Sequence, residues 1–220
     1  MLPRVILHNQ ASLDGRLDWL QADLGLFYGI VSLFEEDATL TGCDTILAAY
    51  GEQECVEDIE DKEREANDKL PLLVVTDSKG RLSNWQRLRR EEYWRDVVAL
   101  CSNSTPPAFL DHLSDIHVDA IVTGNGQVDL RRALRELNSR YGVEVVRVDS
   151  GGALNGALLR AGLVDEVSLL ISPTVVGGLS PRSLFRAPDL ETVDGLLHLE
   201  LQRMEQLDGG VVWLHYYAVK

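Results

Sequence analysis

The feature that most constrains this chain is the way short apolar runs alternate with helix-spaced segments. Leu72–Thr76 and Val97–Cys101 are continuous apolar runs of the length a strand buried on both faces needs. Arg4–Asn9, Ala38–Gly42, Ala120–Thr123, Val143–Val148 and Val164–Ile171 read as further strands. Between them lie segments with helical spacing. These are Leu24–Phe34 (Leu26, Ile30, Leu33, Phe34), a helix opened by Pro106-Pro107 and running through His112, and Leu130–Tyr141 (Leu130, Ala133, Leu134, Leu137). Such alternation builds a sheet by crossovers, and crossovers make neighbouring strands parallel. The end of the chain follows another rule. Leu197–Gln206 and Val211–Val219 flank Leu207-Asp208-Gly209-Gly210, and Asp-Gly between two alternating runs predicts an antiparallel hairpin. The expectation is an α/β fold, a mostly parallel sheet flanked by helices and ending in a hairpin. No internal repeat, low-complexity tract or linker interrupts the 220 residues, which read as one domain over 1–220.

Charge and composition exclude several classes. A net charge of −14 argues against a nucleic-acid or anionic-membrane surface. No stretch reaches the ~18 apolar residues of a membrane span. Met1-Leu2-Pro3-Arg4-Val5 leads straight into a strand without a signal-peptide pattern, so a cytoplasmic protein is expected. Cys43, Cys55 and Cys101 are widely spaced and fit reduced thiols better than a disulfide framework or a zinc site. The acid-rich run from Gly51 to Lys69 reads as a solvated helix or loop.

In an open parallel sheet, ligands bind beyond the carboxyl ends of the strands. Polar or glycine-rich clusters fall there repeatedly: Asn9 with Ser12-Leu13-Asp14-Gly15, Gly42-Cys43-Asp44-Thr45, Thr76-Asp77-Ser78-Lys79-Gly80, Thr123-Gly124-Asn125-Gly126, and Asp149-Ser150-Gly151-Gly152. Each alone is a plausible loop; together they suggest a nucleotide-sized crevice. The last cluster is the most specific. A strand (Val143, Val145, Val146, Val148) meets a Gly-Gly corner and a short helix (Leu154, Leu158, Leu159), which exposes backbone N–H groups and a positive helix end to an anion. Gly124-Asn125-Gly126 is no dinucleotide fingerprint, because Asp129 stands where G-x-G-x-x-G needs a third glycine. There is also no G-x-x-x-x-G-K-[ST] loop, no Ser in G-x-S-x-G and no metal spacing among His8, His112, His117, His198 and His215. His8 and His215, inside strands, read as structural. Chemistry brought by a bound cofactor is then the economical reading.

Here the residues resemble a known family. Ser12-Leu13-Asp14-Gly15 meets S-x-D-G, and Asp37-Ala38-Thr39-Leu40-Thr41-Gly42-Cys43-Asp44-Thr45 meets D-A-x-x-x-G-x-x-T. Asp149-Ser150-Gly151-Gly152-Ala153-Leu154-Asn155, Gly162-Leu163-Val164-Asp165-Glu166 and Pro173-Thr174-Val175-Val176-Gly177-Gly178 follow the pattern E-G-G-G-T-L-N, G-L-V-D-E, P-x-x-x-G-G. The chain resembles the dihydrofolate-reductase-like superfamily and, within it, the riboflavin-pathway reductases. The resemblance implies NADPH, a homodimer and hydride reduction of the ribosyl group of a ribosylaminopyrimidine phosphate to ribityl. It departs from the family at Asp149 (often Glu), at Ser150 (often Gly) and after Thr45, where a D-x-P…R segment is missing. The H-x-E…P-C-x-x-C pattern of the deaminase module carried upstream by some relatives is also missing.

The resemblance assigns cofactor contacts to Gly42, Thr45, Ser78, Gly124, Gly126, Gly151, Gly152, Ala153 and Leu154, with Ser78 and Lys79 favouring a 2′-phosphate. Substrate contacts are expected at Asn9, Ser12 and Asn155; because the family's Arg-bearing segment is missing, a cation for a substrate phosphate must come from elsewhere, with Arg182 and Arg186, beyond the late Gly-Gly, as the candidates. Asp149 and Asp14 are the carboxyl groups placed to relay a proton or hold the substrate's amines; alternatively Asp149 caps the following helix and Asp14 stabilises its turn. No metal is expected. Reduction of another heterocycle such as a pterin, or nucleotide binding without catalysis, are the other readings of the same residues.

Overall fold

In the computed structural model, residues 1–20, 23–51, 69–179 and 182–219 are described. The acid-rich run, with Cys55, therefore lies outside the described residues except at its two ends. In chain order the elements are β1 (Arg4–Ser12), α1 (Leu24–Val31), β2 (Ala38–Gly42), α2 (Cys43–Tyr50), β3 (Leu72–Thr76), α3 (Trp85–Arg90), β4 (Asp96–Cys101), α4 (Pro107–Asp115), β5 (Asp119–Val122), α5 (Leu130–Tyr141), β6 (Val145–Val148), α6 (Gly152–Arg160), β7 (Glu166–Ser172), β8 (Leu199–Gln206) and β9 (Val212–Ala218). The strands are mostly parallel and the chain ends in an antiparallel hairpin, as its sequence pattern predicts.

The chain divides into two compact units. The first combines Met1–Leu2 with Asp37–Glu144. Its strands lie in the order β5-β4-β3-β2, all parallel, with Ala38 opposite Leu72, Leu72 opposite Asp96 and Val98 opposite Asp119. Leu73, Val75, Val97 and Ala99 pack with Ile46 of α2, Trp85 and Leu88 of α3, and Leu113 of α4. α5 buries Ala133, Leu134 and Leu137; Asp129 caps it by accepting from Arg132 N, and Gly142 (φ 69°) ends it in the left-handed region.

The second unit combines Pro3–Glu36 with Val145–Lys220. Its order is β6-β1-β7-β9-β8, with β1 parallel to β6 and β7, and β9 antiparallel to β7 and β8. Phe27, Ile30 and Phe34 cover Ile6, Leu170 and Trp213.

Two differences from the sequence reading bear on the site. β1 continues through Ser12 rather than ending at Asn9, so the turn begins at Leu13. α2 forms directly behind Gly42, so Thr45 sits in a helix rather than a loop.

Candidate active site

The carboxyl end of β1 is tied by one carboxylate. Ser12 Oγ donates to Asp14 Oδ1 at 2.6 Å and accepts from Arg16 N at 2.9 Å. Asp14 also accepts from the backbone N–H of Val176 (3.1 Å) and of Gly177 (2.7 Å). These bonds, that from Ser12 foremost, hold its carboxyl down to about 2. Leu13 N donates to Thr174 O, so the turn and the Pro173–Gly178 loop are fastened at two points. Beside them lies a cleft of about 460 Å³ lined by Arg16, Asp18, Trp19 and residues 174–179. Trp19 is largely exposed and holds a left-handed φ of 63°, a costly conformation for a bulky residue and one found often at ligand clamps.

The β6–α6 corner is built from buried amides. Asn155 Nδ2 donates to Asn9 Oδ1, Ser150 O and Leu184 O; Asn9 Nδ2 also donates to Ser150 O. Gly151 is the N-cap of α6, with no side chain capping the helix. A Cβ on Gly151 would meet nothing within 4 Å, whereas one on Gly152 would lie 2.0 Å from Ser183 O. The corner is open at Gly151, and the first N–H groups of α6 have no partner inside the helix itself.

Behind the corner a guanidinium is buried. Arg147 Nε donates to Glu36 Oε2 at 2.9 Å and Nη1 to Asp149 Oδ2 at 3.0 Å. The side chains of Arg147 and Glu36 are 4% and 10% exposed and that of Asp149 is 32% exposed, so Asp149 is the accessible member.

In the first unit the loops after β3, β4 and β5 are stitched together. Ser78 Oγ accepts from Val128 N, Thr105 Oγ1 donates to Ser78 O, Asn103 N donates to Gly124 O, and Ser104 Oγ donates to Gly126 O. Gly124 has φ 77°, and a Cβ there would sit 2.2 Å from Gln127 O; Gly126 is open. Burial, then the charge of Asp77, pushes the Cys43 thiol up to about 12, and burial does the same to Cys101, so neither is a nucleophile. Among the described residues no group of His, Cys, Asp or Glu is arranged to hold a metal ion, and no helix is long and apolar enough to cross a membrane.

Residues 3–213 match the model of the RibD C-terminal domain family. The chain belongs to this family. It is 30% identical over 211 residues, 92% of this chain and 93% of the relative, to the 2,5-diamino-6-ribosylamino-4(3H)-pyrimidinone 5′-phosphate reductase of Methanothermobacter thermautotrophicus. It is 24% identical over 91% of its length to the enzyme of the same name from Aquifex aeolicus, of which 90% is covered. The fold is that of Acinetobacter baumannii RibD, with a TM-score of 0.74 and 23% identity over 99% of this chain; this RibD C-terminal domain spans only 58% of that longer chain.

Within this RibD C-terminal domain several expectations are corrected. Asn9 and Ser12, expected to touch substrate, are buried and bond the chain itself, whereas Asn155 is buried with Nδ2 bonded to the chain and Oδ1 without a partner among the described residues. Asp14, expected to relay a proton or hold the substrate's amines or else to stabilise its turn, bonds Ser12 of the turn and anchors the Val176–Gly177 backbone; with its carboxyl at about 2 it is a carboxylate near neutrality. Gly152 is glycine because the backbone of Ser183 and Arg186 runs against it, leaving only Gly151 with room for a ligand. Asp149 does not cap α6; it pairs with Arg147. Thr45, Ser78, Gly42, Ala153 and Leu154 remain at strand ends or helix starts, and Arg182 is exposed.

Arg147 and Glu36 were not legible as site residues. The signal was an Arg inside Val145-Val146-Arg147-Val148, since a cation in a buried strand requires a carboxylate partner.

Proposed function

We propose that this protein is an NADPH-dependent reductase of a ribosylaminopyrimidine 5′-phosphate in riboflavin biosynthesis, working as a single reductase domain over 1–220, as a homodimer and in the cytoplasm. The observation that carries this reading is 30% identity spread over 92% of the chain and 93% of the Methanothermobacter reductase, rather than confined to one block.

The β6–α6 corner fits a nucleotide cofactor. Gly151 leaves open space in front of a helix N-terminus, and that combination receives phosphate oxygens. NADPH, when bound, supplies the hydride. The residues of the chain do the rest. Asp149, two residues before Gly151 and partly exposed, is a carboxylate able to accept the N–H or O–H donors of a ligand. When a C=N carbon takes hydride, its nitrogen takes a proton, and an acceptor that orients the donor or a relaying water assists that step. Arg182, exposed beyond the Gly177-Gly178 loop, supplies a cation for a substrate phosphate. The Asp14 clamp fixes the loop that lines the Trp19 cleft, where an exposed indole offers a stacking face to a planar heterocycle.

The test is turnover. Purified protein with NADPH and the diaminopyrimidinone ribosyl phosphate is expected to consume the cofactor and to yield a product heavier by one H₂. The aminouracil ribosyl phosphate, assayed in parallel, tells which substrate is preferred. Tight NADPH binding with no consumption on either substrate would overturn this reading and leave reduction of another heterocycle, such as a pterin, or nucleotide binding without catalysis.

A further inference from the structure

We propose that Arg147, braced by Glu36, is the positioning residue for Asp149. The inference rests on the reading of Asp149 as the site's acceptor and goes beyond it by naming what sets that carboxylate in place.

The argument begins with a cost. Arg147 lies in β6, opposite Ile6 of β1, with a side chain only 4% exposed. Burying a guanidinium is expensive unless carboxylates and good geometry offset it, and an isolated buried pair is weak evidence for a role in stability. One partner is Glu36, nearly as buried as the Arg. It is brought there by Glu35, which holds a left-handed φ of 50°, and by Arg4, whose Nη2 donates to Phe34 O. That turn is strained, and its outcome is to aim Glu36 at Arg147 Nε. Glu36 alone would neutralise the guanidinium. The second carboxylate adds a net negative charge to the cluster, and it belongs to the member that reaches solvent.

Spacing explains how the contact is made. Residues two apart on an extended chain share a face, so Arg147 and Asp149 project the same way at the end of β6. The planar fork has one edge on Glu36 and another on Asp149. Gripping Oδ2 in an immobile fork restricts the swing of the carboxylate, and Asp149 stands two residues before the open Gly151. The shorter Asp, in place of the Glu expected from the resemblance, suits this arrangement because the anchor sits directly behind it.

The experiment removes the anchor without orphaning a charge. The double variant Arg147→Met/Glu36→Leu deletes the buried pair together, and Arg147→Lys keeps the charge but loses the fork, serving if the double variant does not fold. A crystal structure of either variant should show the Asp149 carboxylate displaced or split between rotamers; an unmoved carboxylate overturns the proposal whatever the enzyme turns over. In kinetics, Asp149→Asn should lower kcat/KM about 100-fold in the wild-type background but less than about 3-fold in the double variant, because coupled residues are non-additive. Additive losses, which a merely structural ion pair would give, overturn it as well. Full activity of Asp149→Asn instead overturns the reading of the site, and the crystallographic arm still decides the positioning.

Discussion

A histidine inside a strand must be either charged and paired or neutral and bonded at both nitrogens. His8 is the second kind. Trp213 Nε1 donates to Ser168 Oγ, the Ser168 hydroxyl donates to His8 Nδ1, and His8 Nε2–H donates to Phe27 O, tying α1 to the sheet. Burial first, then the charge of Arg147, pushes its pKa from 6.5 down to about 3. The unfolded chain then binds one more proton than the folded one between those values, so stability falls as pH drops from about 6.5 towards 3. From about pH 7 to about pH 5 this one group should cost about 2 kcal/mol. Urea titrations at the two pH values measure it, and His8→Gln, which keeps a donor and an acceptor, should flatten the dependence by about that amount. An unchanged slope would place the titrating group elsewhere. The neighbouring glycines make a second residue-scale prediction. Gly151→Val fills the only open position of the corner and should weaken NADPH binding at least about 10-fold with the fold intact. Gly152→Val drives a side chain into Ser183 O and should lose the fold itself. Fluorescence titration and circular dichroism separate the two, and equal NADPH affinity in Gly151→Val would move the phosphate site away from this corner.

At the scale of elements, α6 has a face made for another piece of chain. Gly152 and Gly156 lie four residues apart, and a Cβ on Gly156 would stand 2.1 Å from Arg186 O. One turn further on, Arg160 donates to Pro188 O and Gly195 O. The segment 183–195 thus lies along one stripe of the helix, held by two glycines and an arginine. Gly156→Ala should cost about 2 kcal/mol by overpacking, lowering Tm by roughly 4 to 8 °C, even though alanine is the better helix former. A Tm within a degree of wild type in a thermal melt would mean that the segment yields freely. How much of such detail the sequence discloses depends on length and pattern. α5 is read to both ends because twelve residues carry a full apolar stripe, an Asp cap and a terminal glycine. α3, of six residues, is too short for periodicity to declare itself, and α2 starts directly behind Gly42 with no side chain capping it. The loops of the site were located because glycine and polar clusters mark strand ends. Their roles were not, since the difference between Asn155 as strut and as ligand contact is a matter of burial, which residue type does not fix.

For the whole molecule, the terminal hairpin decides the prediction. Residues paired across a ladder share a face. Glu200, Arg203 and Glu205 stand opposite Tyr217, His215 and Trp213, with the Arg203 guanidinium over the Trp213 ring. The other face pairs Leu199 with Ala218, Leu201 with Tyr216 and Met204 with Leu214. Leu201 and Met204 are three residues apart yet fall on the same side, because a bulge between Leu201 and Arg203 shifts the alternation by one. The bulge therefore gathers the apolar side chains onto one face, where Leu199, Leu201 and Met204 remain 41%, 50% and 69% exposed. β8 is also the last strand of its order, with β9 its only neighbour among the described residues. Proteins usually protect an edge strand with charge, and here the charges lie on the opposite face. A second copy related by a two-fold axis would present the same stripe to the first, so one apolar face covers both. Light scattering should then give a dimer at about micromolar concentration, as the homodimer reading requires, and Leu201→Glu with Met204→Glu should give a folded monomer because two desolvated carboxylates on each side cannot be buried unpaired. A monomeric wild type, or a double variant that stays dimeric, would remove this face from the assembly.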